Sequence, residues 1–246
     1  MLTAAGASDR GLVRPNNEDA VLCDPEQGLF AVVDGMGGHR AGEVASAIVV
    51  RELKARLAPD GRPDTGMEEA LRDALRDAND AVLEQADAHP EWQGMGAAAV
   101  VAVCAQGVLH IANLGDSRAY LVRGNRPEQL SRDHTVAATL FAQEQFTAEE
   151  ARSHPLRNRL TAVVGARRPV QPAYRALALR PDDRILLCSD GLWEPVTDTE
   201  IAAICRGATP ADCARELIRL ANDRGGRDNV TVIVIAVSLP GEECHV

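Results

Sequence analysis

Aromatic residues make up only 3% of the 246 residues, and lysine occurs once, at Lys54. Apolar residues still account for 46% of the chain, so a sizeable core is possible, built mostly from Ala, Val, Leu and Ile. Acidic residues outnumber basic ones, and the formal net charge is −10. Nucleic acids and anionic membrane surfaces are recognised by clustered cations, so we expect neither as a partner.

Three further features are missing from the sequence. No apolar run reaches the roughly eighteen residues that a membrane-spanning helix needs. The first residues lack the charged start and apolar stretch of a signal peptide. The six cysteines include no C-x-x-C pair, and several lie within apolar runs, where a reduced cysteine acts as a small hydrophobe. We therefore expect a cytoplasmic location, with no membrane attachment.

The pattern of apolar residues predicts the order of the secondary-structure elements. Short apolar runs bounded by turn residues predict strands at the beginning, in the middle and at the end of the chain. Helical spacing predicts helices over residues 42–57, 67–88, 197–205 and 209–223. The middle strands are predicted to form a meander of hairpins, with turns at Gln106-Gly107, Gly115-Asp116 and Gly124-Asn125. This order differs from the regular alternation of a doubly wound sheet, and it favours an α+β fold with antiparallel sheets and helices outside them.

No repeat and no shift in composition marks a domain boundary. We therefore expect a single domain over residues 1–240, a short tail at 241–246, and a monomer. Residues 133–165 differ from their surroundings because they are polar and weakly patterned, and we interpret them as an insertion. Within the insertion, Thr147 and Glu150 have the spacing of a capping box, which predicts a short helix.

Five aspartates stand at the ends or starts of predicted strands. Asp34, Asp116 and Asp190 each close an apolar run, whereas Asp19 and Asp228 each precede one. In antiparallel sheets the end of one strand lies beside the start of its neighbour, so we expect these side chains to gather at one edge of the fold. Each could also be an ordinary turn residue, since Asp-Gly is a common turn dipeptide.

Clustered carboxylates indicate a particular chemistry. They repel one another unless they are protonated or bridged by cations. An all-oxygen ligand set, without a Cys or multi-His cluster, favours Mg²⁺ or Mn²⁺ over zinc, and the D-x-D-x-D-G spacing of a calcium loop is absent. Two such ions can clamp a phosphoryl group for in-line attack by water.

A family resemblance is carried by seven segments, in the family's order: RPNNED, FAVVDGMGGHRAGE, GMGAAAV, ANLGDSRAYLV, RDHT, LLCSDGLWE and GGRDNVTVIVI. They resemble the motifs of the type 2C, metal-dependent (PPM) protein serine/threonine phosphatases, in the form of a bacterial stand-alone catalytic domain, over residues 3–238. The resemblance implies a four-layer α-β-β-α sandwich, in which two central antiparallel sheets carry a helix pair on each outer face. The chain departs from many members at Ala97 and Ala98, where they carry threonines, but no metal position is affected.

The resemblance also implies the roles of individual residues in a centre of two Mn²⁺ or Mg²⁺ ions, with a third ion in bacterial members. The implied metal ligands are Asp34 as the bridge, the Gly35 carbonyl, Asp190, Asp228, Asp116 for the third ion and, through waters, Glu18 and Asp19. Arg14, four residues before Glu18, matches the arginine that binds the substrate phosphate. His39 is the candidate general acid for the leaving alkoxide, although a water could serve instead.

The implied function is metal-dependent hydrolysis of phosphoserine and phosphothreonine on proteins, which reverses a Ser/Thr kinase. Direct attack by an activated water would make a covalent phosphoenzyme unnecessary, and residues 133–165 would form a flap beside the site. Two alternatives stay open. A two-metal phosphodiesterase or small-molecule phosphatase would use similar carboxylates, and a non-catalytic module would bind phosphoproteins without hydrolysing them.

Overall fold

The structure is a computed structural model that describes residues 1–37, 41–58, 66–124, 126–147, 150, 154–166 and 168–238. The candidate general acid His39 and the predicted tail at 241–246 lie outside the described residues.

The strands of the described residues form two five-stranded antiparallel sheets. The first sheet contains, in spatial order, β1 (Leu2–Asp9), β10 (Val230–Val237), β9 (Arg184–Cys188), β6 (Arg118–Arg123) and β7 (Arg126–Gln129). The second sheet contains β2 (Asp19–Asp24), β3 (Leu29–Met36), β4 (Gly96–Ala105), β5 (Val108–Leu114) and β8 (Ala173–Ala178).

Helices are present in the four ranges predicted from helical spacing, and two further short helices were not predicted. The helices of the described residues are α1 (Ala41–Leu57), α2 (Met67–Ala88), α3 (Val136–Ala142), α4 (Asp190–Trp193), α5 (Asp198–Ile204) and α6 (Pro210–Asp223), with a 3₁₀ turn at Pro90–Trp92. Thr197 caps α5 in a capping box with Glu200, and Thr209 caps α6, so both helices begin where hydroxyl side chains satisfy free backbone N–H groups. None of the helices in these ranges has the length and apolar character needed to cross a bilayer.

Buried apolar residues fill three interfaces between four layers. Residues at these interfaces include Leu53, Leu71 and Val101 between α1, α2 and the second sheet, Phe30, Ile111 and Ile233 between the sheets, and Leu186, Leu217 and Val232 between the first sheet and α6. Full burial of such a side chain stabilises the fold by about 1.5–3 kcal/mol. The predicted α-β-β-α sandwich is therefore confirmed.

One predicted hairpin is wrong, and the correction matters for the site. β4 pairs with β5 and β6 pairs with β7, as expected, but β5 and β6 belong to different sheets. At Gly115 and Asp116 the chain therefore crosses from one sheet to the other. Gly115 has a φ of +108°, and a Cβ there would lie 2.4 Å from the Ala98 Cβ, so only glycine fits this crossing. The crossing places Asp116 between the sheets at one end of the sandwich.

Described residues of the predicted insertion lie beside the same end. Thr135 and Leu160 form an isolated bridge within it, and Val164 forms another with Ala97 of β4. The capping-box contacts of Thr147 and Glu150 are present, because each backbone N–H donates to the other's side chain, at 2.8 and 3.2 Å. Part of the helix predicted to follow lies outside the described residues.

Candidate active site

The acidic residues at the strand ends meet around one cavity. In the register of the second sheet, Asp19 of β2 lies opposite Asp34 of β3. Asp116 sits at the crossing between sheets, Asp190 follows β9, and Asp228 precedes β10. The cavity, of about 200 Å³, is lined among others by Arg14, Glu18, Asp34, Gly35, Asp116, Asp190 and Asp228. We call it the acid cavity.

Asp19 does not line the acid cavity but lies behind it. The Ser189 hydroxyl donates a hydrogen bond of 2.8 Å to Asp19 Oδ2, while Asp19 Oδ1 is buried without a hydrogen-bond partner. Ser189 is itself fixed, because the backbone N–H of Thr231 donates to its Oγ at 3.0 Å. Asp19 is thus held rigidly beside Asp34 by the start of β10.

Gly35 brings backbone to the cavity wall at a point where no side chain fits. A Cβ on this residue would lie 2.2 Å from the Gly42 carbonyl oxygen and 2.5 Å from that of Glu18. Real Cβ atoms do not approach backbone oxygens so closely, so the contact of β3 with α1 and β2 requires glycine here. This packing explains the Asp-Gly pair better than a turn does, since both residues lie within β3.

Burial and mutual repulsion raise the pKa values of these carboxyl groups. Burial, reinforced by Asp19, raises the pKa of Asp34 well above its usual range, and burial together with Asp116 does the same for Asp190. Burial raises the pKa of Asp116 to about 7, with Asp133 adding to the shift. Burial also raises the pKa of Asp19 to about 6. The folded chain therefore holds these groups where negative charge is poorly compensated.

Arg14 is the only cationic side chain among the described residues that line the acid cavity. Its guanidinium donates to Asp228 Oδ2 at 2.6 Å, and it is half exposed. The loop that carries Arg14 is fixed by Leu12, whose backbone N–H donates to the Gly226 carbonyl at 2.7 Å. One guanidinium cannot balance the five carboxyl groups of the lining, so the cavity keeps an excess of acidic groups over cations.

The donor set fits hard divalent cations such as Mn²⁺ or Mg²⁺. It consists of oxygen atoms, and Asp190 Oδ1, like Asp19 Oδ1, is buried without a hydrogen-bond partner. In the described ranges no three acidic, His or Cys side chains already converge as a closed ligand group. The carboxylates stand around the cavity instead, and Asp228 turns to Arg14, as expected for like charges that repel one another. A divalent cation would satisfy the unpartnered oxygens and offset the repulsion.

Asp116 is held by an aromatic and ionic cluster that the sequence analysis did not foresee. The Trp193 indole N–H donates to the Asp116 carbonyl at 3.0 Å, and the Arg118 guanidinium stacks 3.6 Å above the Trp193 ring. Arg118 in turn pairs with Asp133, at 2.6 Å, and not with Asp116. Asp116 and Arg118, which are only two residues apart in sequence, therefore form no ion pair with each other.

Asn229 is a second residue that sequence reasoning missed. Its side-chain carbonyl accepts the Glu18 N–H at 2.8 Å, and its amide donates to the Arg10 and Asn16 carbonyls, both at 2.9 Å. These bonds tie the start of β10 to both ends of the Arg14 loop. The only available signal was its position next to Asp228, where an Asp-Asn pair also suits a plain turn.

The predicted insertion contributes Asn158 and Leu160 to the lining of the acid cavity. The Asn158 side chain also donates a hydrogen bond to Glu194, just after α4. Asn158 and Leu160 of the predicted insertion therefore form part of the wall of the site. His39 lies outside the described residues, so its place in the site stays a prediction.

Comparisons with known proteins agree with this architecture. The family profile described as protein phosphatase 2C matches residues 4–140. The serine/threonine protein phosphatase PstP of Mycobacterium tuberculosis is 41% identical over 237 residues, which cover 96% of this chain but only 45% of that relative. The serine/threonine phosphatase Stp of Listeria monocytogenes is 35% identical, with 93% of each chain covered. The chain thus spans about half of the first relative and nearly all of the second.

Solved structures extend the comparison. A crystal structure of M. tuberculosis PstP is 40% identical with a TM-score of 0.89, and the match covers 97% of this chain and 99% of that one. The catalytic domain of PstP in complex with two manganese ions is 39% identical with a TM-score of 0.86, with the same coverage. The fold, the acid cavity and these relatives lead to one conclusion: the chain belongs to the protein phosphatase 2C family.

Proposed function

We propose that this protein is a Mn²⁺- or Mg²⁺-dependent protein phosphatase that hydrolyses phosphoserine and phosphothreonine. The observation that carries the proposal is the convergence of Asp34, Asp116, Asp190 and Asp228 on one cavity with a single arginine. The family, the relatives named as serine/threonine phosphatases and the manganese-bound PstP structure support a two-ion centre of this kind. We further propose that the domain over residues 1–240 acts as a monomer in the cytoplasm against a Ser/Thr kinase.

The metal-binding roles are assigned to residues with oxygen donors in the acid cavity and directly behind it. We assign the two ions to Asp34, the Gly35 carbonyl, Asp190 and Asp228, a third ion to Asp116 with Asp190, and outer contacts through water to Glu18 and Asp19. When bound, the ions supply positive charge that favours deprotonation of the attacking water and neutralises phosphoryl oxygens. Ser189 and Thr231 hold Asp19 behind Asp34, which limits the movement of the ligand carboxylates.

Arg14 is positioned to bind the substrate phosphate. Its planar guanidinium matches two phosphate oxygens, and its half-exposed position at the cavity makes it accessible to a protein substrate. Asp228 and the loop bonds from Asn229 orient it before substrate arrives. The described lining contains no Ser, Thr, Cys or His side chain, which favours attack by water over attack by a hydroxyl or thiol nucleophile. His39 remains our candidate for the proton donor to the leaving serine or threonine oxygen.

Phosphate release from a phosphothreonine peptide tests the proposal, with Mn²⁺, with Mg²⁺ and with a chelator. We expect release only with a divalent ion, and much weaker activity on bis(p-nitrophenyl) phosphate. Faster hydrolysis of the diester would favour the phosphodiesterase alternative, and binding without hydrolysis would favour the phosphoprotein-binding module. Arg14→Gln should lower kcat/KM by roughly tenfold or more. Arg126→Gln, which removes an exposed arginine of β7, is the matched control.

A further inference from the structure

A second cavity, of about 420 Å³, lies at the open edge of the sandwich, beside the edge strand β8. Three arginines line it from three different parts of the chain: Arg72 from α2, Arg132 from the segment after β7, and Arg175 from β8. No Asp or Glu side chain belongs to its described lining. In a chain with a net charge of −10, such a concentration of guanidinium groups requires an explanation. We call it the arginine cavity.

The arginines differ in how much of their hydrogen-bonding capacity is already used. Arg72 is fixed by Glu68 and by the Pro172 carbonyl, so it contributes positive charge from a rigid position. Arg175 uses one nitrogen to bind Glu128. The exposed Arg132 guanidinium makes no ion pair or hydrogen bond with any residue that the structure describes. Arg132 and Arg175 therefore retain N–H donors, because a guanidinium carries five.

Hydrogen bonds and an ion pair also connect the segment that carries Arg132 to residues around the acid cavity. The Asn113 side chain exchanges two hydrogen bonds with the Arg132 backbone, at 2.8 and 3.1 Å. Asp133 holds Arg118, which stacks on Trp193, the residue that donates to the Asp116 carbonyl. Two residues after Arg132, the His134 backbone N–H donates to the Gly115 carbonyl at 2.9 Å. A ligand that fixes Arg132 would therefore affect the position of Asp116.

We propose that the arginine cavity binds a phosphate-type oxyanion other than the one that is hydrolysed, and that its occupancy acts on the acid cavity through residues 132–134. A tetrahedral oxyanion accepts several N–H bonds at once, which matches the unused donors of Arg132 and Arg175. Glu68 and Glu128 bind Arg72 and Arg175 and balance part of their charge, so the uncompensated positive charge of the arginine cavity comes mainly from Arg132. The oxyanion comes either from free phosphate or from a second phosphorylated residue of the substrate.

Binding is measured on the metal-free protein, so that the test does not depend on phosphatase activity. Inorganic phosphate is titrated into chelator-treated protein by calorimetry at low ionic strength. We expect saturable binding that Arg132→Gln weakens by roughly tenfold, with Arg132→Lys intermediate. The control Arg215→Gln, at an exposed residue of α6, and Arg14→Gln, in the acid cavity, should each stay within about twofold of wild type. Absence of saturable binding, or its loss in Arg14→Gln alone, would overturn the proposal.

Two kinetic arms then separate the sources of the oxyanion. If the source is the substrate, a peptide with two phosphothreonines is preferred over one with a single phosphothreonine, and Arg132→Gln removes the preference. If the source is free phosphate, added sulfate changes the rate of p-nitrophenyl phosphate hydrolysis in wild type but not in Arg132→Gln. Phosphate binding without a response in either arm would contradict the coupling through residues 132–134.

Discussion

An aspartate lies near each end of β9, and the two have opposite electrostatic environments. Asp183 precedes the strand and is almost fully buried, and Arg123 binds both of its carboxylate oxygens, at 2.8 and 2.7 Å. The Arg180 backbone N–H adds a third hydrogen bond of 2.8 Å. Asp190 follows the same strand, yet its Oδ1 is buried without a hydrogen-bond partner, and burial together with the charges of other carboxyl groups raises its pKa. One end of the strand is balanced within the protein, whereas the other lacks positive charge.

We interpret Asp183 as a structural acid and Asp190 as a functional one. A buried carboxylate with a bidentate arginine needs nothing further to stabilise the fold. A cluster of carboxylates without enough cations lowers the stability of the protein by itself, and such a cluster is retained where a ligand completes it. The predictions below use the two ends of β9, and the residues around the acid cavity, to challenge this interpretation.

The largest effect is expected on catalysis. Asp190→Asn and Asp34→Asn should each reduce Mn²⁺-dependent phosphate release by at least about a hundredfold, the size of effect known for residues that support metal ligands. Asp183→Asn should keep the specific activity of the folded protein, because it lies at the opposite end of β9. The measurement is the rate of phosphate release from a phosphothreonine peptide by each variant, normalised to the amount of folded protein. Equal losses in Asp190→Asn and Asp183→Asn would remove the distinction between the two ends.

The second prediction concerns stability without metal, where the two substitutions should have opposite signs. Asp183→Asn should lower the free energy of unfolding by about 1–3 kcal/mol, because it removes charged hydrogen bonds to Arg123. Asp190→Asn should raise this free energy, because it removes a charge that its neighbours repel. Urea unfolding of chelator-treated proteins measures both. A loss of stability in Asp190→Asn would mean that the acid cavity is already balanced.

The third prediction is a pH dependence. Burial raises the pKa of Asp116 to about 7 and that of Asp19 to about 6. At pH values between the usual pKa of an aspartate and these raised values, the folded metal-free protein therefore binds more protons than the unfolded chain. This contribution to stability is fully present below about pH 4 and is lost as the pH rises through about 6 to 7. From pH 5 to 7 the metal-free protein should lose on the order of 3–4 kcal/mol. Unfolding with chelator at each pH tests this, with Asp116→Asn expected to flatten the profile.

The smallest effect is expected for the contact between Trp193 and Asp116. Trp193→Phe keeps an aromatic ring for Arg118 but removes the N–H that donates to the Asp116 carbonyl. The loss of one such hydrogen bond, about 1 kcal/mol, corresponds to roughly a fivefold fall in kcat. The control is Trp92→Phe, at a tryptophan in the 3₁₀ turn that is not among the described residues lining the acid cavity, and it should leave kcat unchanged. An unchanged kcat in Trp193→Phe would show that Asp116 is positioned without the indole.

The sequence was most informative where local chemistry decides the structure. Helical spacing located α5 and α6, and the structure adds that Thr197 and Thr209 cap them through contacts with residues three positions later. The acids at the strand ends could be predicted to meet, because antiparallel pairing brings ends and starts together. The same pairing places Asp19 directly opposite Asp34.

The sequence was least informative where partners are distant along the chain. The apolar pattern of β5 and β6 is the same whether the strands pair or belong to different sheets, so the crossing at Gly115 was mistaken for a hairpin. Arg118 finds Asp133 and Trp193 only because that crossing turns β6 toward α4. Asn229 likewise binds a loop more than 200 residues away in sequence, a contact that no local pattern encodes.

The central claim is that the acid cavity is completed by divalent cations, and calorimetric titration with Mn²⁺ tests it most directly. We predict that wild type and Asp183→Asn bind two or more ions with similar affinity, and that Asp34→Asn loses at least one of them. Mn²⁺ at a hundredfold excess over Kd should also raise the free energy of unfolding of the same two proteins, by about 2.7 kcal/mol for each bound ion, and thermal unfolding detects this increase. Absence of Mn²⁺ binding by wild type, or binding to Asp34→Asn with unchanged stoichiometry and affinity, would contradict the account.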